Sequence, residues 1–237
     1  PKIDSPQAAS TSVPRPEWMS TAPPLPKPRG EVIEVSNVKQ LFAAVERVKP
    51  GGTIMMADGR YFLPVRLVVH TDNVTLRGKS GDPTKVILDG AKNRHNAGVV
   101  VQKCSGVTLA YFTLTNIRQN GFKIDSNLNT DRVAIYNCIG HNIWQRQIKG
   151  PKVPDENGKA AFVEDCRIQY CTFYNDRPKR LDDEPYERAN PQRFKGNYVG
   201  GIDAMCARGW VISDNVFVGI RGKTGEARGA IFLLHHA

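Results

Sequence analysis

Four stretches of the chain repeat one pattern: Val107–Asn116, Val133–Asn142, Cys166–Asn175 and Trp210–Gly219. In each, apolar side chains alternate with polar or small ones and then meet Asn or Gly. The starts are separated by 26, 33 and 44 residues. A helical repeat would carry a period of about 3.6 inside each unit, whereas these carry a period of two. Strand-length units ending at a turn residue, with spacings elastic enough to admit loops, predict the rungs of a parallel β-helix. An Asn at a rung corner tolerates positive φ, and its amide is expected to bond to the Asn of the next rung.

A second register runs beside the first. Gly98 and Gly201 open short apolar strands nine residues before Val107 and Trp210, Gly121 opens one twelve before Val133, and Gly229 opens another near the end. Gly106 and Gly209 stand immediately ahead of the next repeat. Each turn of the coil is therefore expected to hold at least two strands, with loops growing at selected corners to make a binding face.

With 33 Lys and Arg against 23 Asp and Glu, the 237-residue chain has a net charge of +10. That balance suits a solvated basic surface or a polyanionic partner: an acidic polysaccharide, nucleic acid or an acidic envelope. Nucleic acid is not expected, because no recognition helix, zinc-finger spacing or ribonucleoprotein motif occurs. No run of eighteen apolar residues suggests a membrane span. The five cysteines, Cys104, Cys138, Cys166, Cys171 and Cys206, include no C-x-x-C pair. Cys138 and Cys171 hold the same place in their rungs and are expected to stack inward as small hydrophobes, a disulfide between rungs being the alternative. The sequence does not fix an oligomeric state.

Residues 1–30 carry eight of the sixteen prolines and are expected to form a disordered or extended linker. Such a leader suits a secreted, periplasmic or cell-surface protein whose domain, residues 31–237, stands away from a membrane or wall. A helix is predicted from Asn37 to Val48, capped by Ser36, with Leu41, Phe42, Ala44, Val45 and Val48 on its apolar face. Its expected task is to plug the open end of the coil. The apolar strand from Gly229 to Ala237 has no polar capping segment after it, as in a piece of a longer β-helix or one whose end a partner covers.

The run VSNVKQLFAAVERVKPGGTIMMADGRYF, followed by NVTLRGKSGDPTKVILDG, resembles the opening of pectate-lyase-like right-handed parallel β-helix proteins. Those proteins share a capping helix, a Pro-Gly-(Asp/Gly)-Thr-Ile strand and an (Asp/Asn)-Gly-x-Tyr turn before their rungs. The resemblance runs from about Glu31 onward and implies an all-β, right-handed parallel β-helix with an N-terminal capping helix. It implies less about chemistry, since lyases, hydrolases, epimerases and non-catalytic proteins share the fold.

Outward positions on stacked strands line a groove. In Gly121-Phe122-Lys123-Ile124-Asp125, period-two alternation turns Lys123 and Asp125 outward together, and Asp203 falls in the matching row with Val100 and Ile231. The resemblance implies β-elimination on an acidic polysaccharide, which needs a base beside the uronate and positive charge for the enolate-like intermediate. Lys123 is then the expected base and His141 an alternative. Arg146, Lys149 and Arg208 are expected neutralisers, and Asp125 with Asp203 are expected to hold a calcium ion. A glycoside hydrolase on this scaffold would instead use paired carboxylates. Asn129-Thr130-Asp131 matches only the start of the polygalacturonase motif, and no Gly-Asp-Asp follows. A non-catalytic binding module or adhesin would present the same basic face.

Two insertions break the rungs. Asp176–Asn197 is dense in charge of both signs, a lip beside a groove or a mobile loop, with Asp182-Asp183-Glu184 expected as a solvated acidic stretch. Gly150–Gly158 adds a smaller loop. His235 and His236 have no metal-ligand partner nearby in sequence.

Overall fold

A computed structural model describes residues 13, 16–125, 130–150, 153–154 and 160–234. Three parallel sheets wind around one core. The first stacks Val32–Val35, Thr53–Met56, Thr75–Gly78, Thr108–Ala110, Ala134–Tyr136, Arg167–Gln169 and Val211–Ser213. The second stacks Gly59–Phe62, Val86–Asp89, Thr113–Ile117, Ile139–Ile143, Thr172–Tyr174 and Val216–Val218. The third stacks Leu67–Val69, Ala97–Val101, Asn120–Ile124, Arg146–Gly150, Gly200–Met205 and Ile231–Leu234. The chain visits the sheets in that order six times, so each turn holds three strands and each strand pairs with its counterpart one turn away. This is a parallel β-helix.

Each ten-residue repeat thus spans two strands and the corner between them. Tyr111, Asn137, Tyr170 and Asp214 make that corner with φ of 60°, 45°, 58° and 56°. A second corner, ahead of the first sheet, falls at Gly106, Arg132, Asp165 and Gly209, again with positive φ. Both series repeat at the spacing of the rungs. Asn116, Asn142 and Gly219 bend the second-sheet end in the same way. The expected Asn-to-Asn ladder is replaced by Asn-to-Asp pairs: Asn116 Nδ2 donates to Asp89 (3.0 Å) and Asn142 Nδ2 to Asp176 (2.9 Å). A carboxylate accepts more strongly than an amide, so the charged partner prevails.

Of the glycines that open third-sheet strands, Gly98, Gly121 and Gly201 serve space rather than φ, whereas Gly229 has a φ of +134°. A Cβ on Gly121 would lie 2.5 Å from Ile143 and 2.7 Å from the Gln147 carbonyl, and one on Gly201 would lie 2.2 Å from the Ala230 carbonyl. The interior is apolar and layered, with Phe112 against Phe122 and Phe173 stacked on Phe217 at 5.2 Å. All five cysteines are free and buried. The Cys138 and Cys171 thiols donate to the Leu109 and Ile135 carbonyls at 3.5 and 3.4 Å, as stacked inward residues do.

The helix α1 spans Val38–Arg47 and buries Leu41, Ala44 and Val45 against the first strands of the coil. Its cap is Asn37, whose Oδ1 accepts from Gln40 N (3.0 Å), not Ser36, whose N–H instead donates to Gln40 Oε1 (2.8 Å). From residue 20 to residue 30 the proline-rich segment runs without regular structure over Tyr111, at a corner, and Tyr136, just before one. Tyr136 Oη donates to the Pro23 carbonyl (2.6 Å), Leu25 N to Tyr111 Oη (2.7 Å), and Arg77 Nη1 to the Pro26 carbonyl (3.2 Å). These three hydrogen bonds hold it there as an extended strap.

Within the smaller insertion, Val153–Pro154 pairs antiparallel with Ala160–Ala161. Its residues 151–152 and 155–158, like Asn129 and the His235-His236 pair, lie outside the described residues. Among the described residues no helix is long and apolar enough to cross a membrane.

Candidate active site

Register on the third sheet decides which side chains meet. Val100, Lys123, Lys149, Asp203 and Phe232 are successive partners, so they form one outward row. The row contains Lys123 and Asp203 as the sequence predicts. It holds Phe232 where Ile231 was expected, because Ile231 pairs with the inward Ile202. Lys123 Nζ donates to Asp125 Oδ2 at 3.1 Å.

Arg146 reaches the same row by an irregularity. Gln147 and Ile148 are both buried, Gln147 Nε2 donating to Asn175 Oδ1 (3.3 Å) inside the coil, which interrupts strict alternation. Arg146 and Lys149 then close on one carboxylate. Arg146 Nε donates to Asp203 Oδ2 at 2.6 Å and Lys149 Nζ to Oδ1 at 3.0 Å. Arg146 is only 1% exposed, so it cannot meet a substrate as the expected neutraliser. Lys149 is more open. Burial pushes its ammonium pKa below the ordinary 10.5, and Arg146 and Lys123 push the same way against the pull of Asp203.

The long insertion is an ordered buttress behind this row, neither an open lip nor a loose loop. It forms a 3₁₀ turn at Leu181–Asp183 and two short helices, α2 at Pro185–Ala189 and α3 at Pro191–Phe194. Lys179 and Glu187 form a fully buried ion pair, and Lys179 Nζ also donates to the Tyr198 carbonyl at 3.0 Å. The Tyr198 ring lies 4.0 Å from the Arg146 guanidinium. The expected acidic stretch is solvated only at Asp182, which is exposed, while Asp183 is half-buried. Glu184 is buried, caps α2 through Tyr186 N and Glu187 N, and meets Gln119. Asp183 takes two hydrogen bonds from Arg177, whose guanidinium lies 4.3 Å from the Trp144 ring.

The other two expected catalytic residues stand elsewhere. His141 is on the second sheet, its Nε2 2.8 Å from Asp176 Oδ2, its Nδ1 3.1 Å from Thr115 Oγ1, and its ring stacked on Tyr174 at 4.3 Å. Arg208 is on the corner after the third sheet, donating to Glu164 (3.0 Å) and lying over Phe162. Neither contacts the row.

The calcium expectation does not fit these donors. Both oxygens of Asp203 are taken by cations and Asp125 is held by Lys123, so each serves as a counter-ion rather than a cation ligand. Among the described residues no three His, Cys, Asp or Glu side chains cluster as a metal set. Tyr198, Lys179, Glu184 and Glu187 were missed from sequence, where only the length and charge of the insertion marked their region.

No protein-family model matches the chain, and no curated protein matches it in sequence. Solved structures do. An alginate lyase from Paenibacillus sp. str. FPU-7 superimposes with a TM-score of 0.53 at 12% identity, over 81% of this chain and 69% of that one. The likeness is one of fold. A PL6 family alginate lyase aligns at a TM-score of 0.45 and 10% identity, over 92% of this chain and 41% of that one.

Proposed function

We propose that this protein is a polysaccharide lyase that cleaves a uronate-containing polysaccharide by β-elimination outside the cell. The observation that carries the reading is the convergence of Lys123, Lys149 and Asp203 in one outward row of a parallel β-helix. The fold shared with an alginate lyase supports it, and alginate is the first substrate to try.

Lys149 takes the role of base first expected of Lys123. It is the lysine whose burial favours the free amine, and only the free amine can abstract the proton beside the uronate carboxylate. Lys123, one turn away and 29% exposed, supplies positive charge to that carboxylate as the enolate-like intermediate forms. A hydrolase would need two carboxyl groups facing each other across a cleft. Here Asp203 lies beneath Arg146 and Lys149, and Asp125 holds Lys123.

The test is ultraviolet absorbance of the unsaturated product while the protein meets alginate and other polyuronates. A lyase gives a rising signal that Lys149→Ala abolishes and Lys123→Ala weakens. The rising limb of its pH profile lies below 10.5, since the base must lose its proton and its pKa is lowered. Absence of signal across the panel, or full activity in Lys149→Ala, would refute the reading.

A further inference from the structure

We infer that Arg146 is the positioning residue of this site, dividing Asp203 with Lys149 so that the lysine never owns its counter-ion alone, and that the inserted segment exists to hold Arg146 there. The inference deepens the lyase reading and rests on it for its functional meaning.

The geometry is that of a shared carboxylate. Arg146 Nε takes one oxygen of Asp203 at 2.6 Å and Lys149 Nζ takes the other at 3.0 Å. Arg146 is held from three sides: by Asp203, by the Gln145 carbonyl that accepts from its Nη1 at 2.8 Å, and by the Tyr198 ring at 4.0 Å. Tyr198 is fixed in turn. Its N–H donates to Glu187 (3.0 Å) and its carbonyl accepts from Lys179, the two members of the buried pair. A chain of contacts therefore leads from the insertion through Tyr198 and Arg146 to Asp203 and Lys149.

A purely architectural role explains Arg146 poorly. A buried ion pair stabilises no better than well-packed apolar residues of the same volume. The Nη2 of Arg146 is buried without a protein partner, which is a cost and not a gain. A guanidinium kept there despite that cost has an electrostatic task, and Lys149 is the partly exposed group it faces across Asp203. The charged groups around Lys149 are Asp203, Arg146 and Lys123, and of these Asp203 alone favours its charged form. Removing Arg146 takes away one repulsive charge and gives Asp203 wholly to Lys149, so the lysine holds its proton more tightly.

The experiment reads Lys149 without any substrate. The full chain is treated with a limiting amine-acylating reagent at mildly basic pH, and labelling of each lysine is followed by peptide mass spectrometry. Arg146→Met should lower labelling at Lys149 about tenfold for each unit by which its pKa rises, while exposed lysines such as Lys79 label as before. Tyr198→Leu, which keeps every charge, should move Lys149 the same way by a smaller factor, and it serves if Arg146→Met does not fold. Where turnover is measurable, the rising limb of the pH profile should move to higher pH in both variants, with kcat partly recovered at high pH. Unchanged Lys149 labelling in a folded variant, or a loss of kcat equal at every pH, would overturn the inference. Because labelling needs no polysaccharide, a failed lyase assay and a failed positioning role give different results.

Discussion

Among single residues, the buried pair Lys179–Glu187 should matter most for stability. Burial drives the Lys179 pKa down and only Glu187, with Glu184 behind it, holds the proton on. Glu187→Gln leaves that ammonium buried against a neutral amide, and the loss should be about 3–5 kcal/mol in urea unfolding. Replacing both partners with Met and Leu should cost much less. Asp183 sets an acid limit. Burial alone would raise its carboxyl, but hydrogen bonds from Arg177 and the Arg180 amide outweigh burial and hold it below the usual 3.8. Its contribution is therefore complete above 3.8 and disappears as pH falls through the lower folded value. In Arg177→Met the acid limb of a thermal-melt series should shift upward in pH; an unmoved limb would show that Arg177 does not hold Asp183. Sequence reveals such residues unevenly. Lys123 and Asp203 were legible as one row because glycines mark the start of their strands. The strand holding Lys149 opens with Arg146 and no glycine, so its register was hidden. The inward turn of Gln147 that frees Arg146 has no sequence mark.

At the level of elements, glycines that precede strands look alike in sequence and differ in cause, as Gly51 ahead of Thr53–Met56 and Gly121 in Asn120–Ile124 show. Gly51 has φ of +80° with open space where a Cβ would stand, whereas Gly121 has no unusual φ and no space. Asn visits the left-handed region readily, so Gly51→Asn should cost below about 1 kcal/mol. Gly121→Ala must push a Cβ into Ile143 and the Gln147 carbonyl, at about 1–3 kcal/mol. Equal losses by denaturant titration would contradict this division. The strap obeys the same logic of local partners. Tyr136→Phe removes the donor to the Pro23 carbonyl and should speed proteolysis between residues 16 and 30 while leaving the coil intact. The alternation of the ten-residue units made the strands readable. The corner inside each unit was not, because Tyr111 and Tyr170 occupy left-handed positions where Asn or Gly would have announced a turn.

Across the whole molecule, the fold was legible because a coil repeats its physics every turn, so a period survives even where sequence identity to other β-helices does not. Charge behaves differently, since it is a property of the surface at large. The row itself is nearly balanced: Lys123, Arg146 and Lys149 against Asp125 and Asp203 leave one positive charge, while the chain carries +10. On the proposed lyase reading, attraction of a polyanion therefore comes from the molecule's field, and chemistry from a small cluster that is mostly shielded from solvent. Salt acts on these two parts unequally. The screening length shrinks from about 10 Å at 0.1 M to about 3 Å at 1 M, which removes long-range attraction but hardly touches a pair 2.6–3.0 Å apart and buried. Steady-state kinetics on a polyuronate should accordingly show KM rising steeply with added salt while kcat at saturation changes little. A kcat that falls as steeply as KM rises would place the decisive charges on the exposed surface instead of in the Arg146–Asp203–Lys149 cluster.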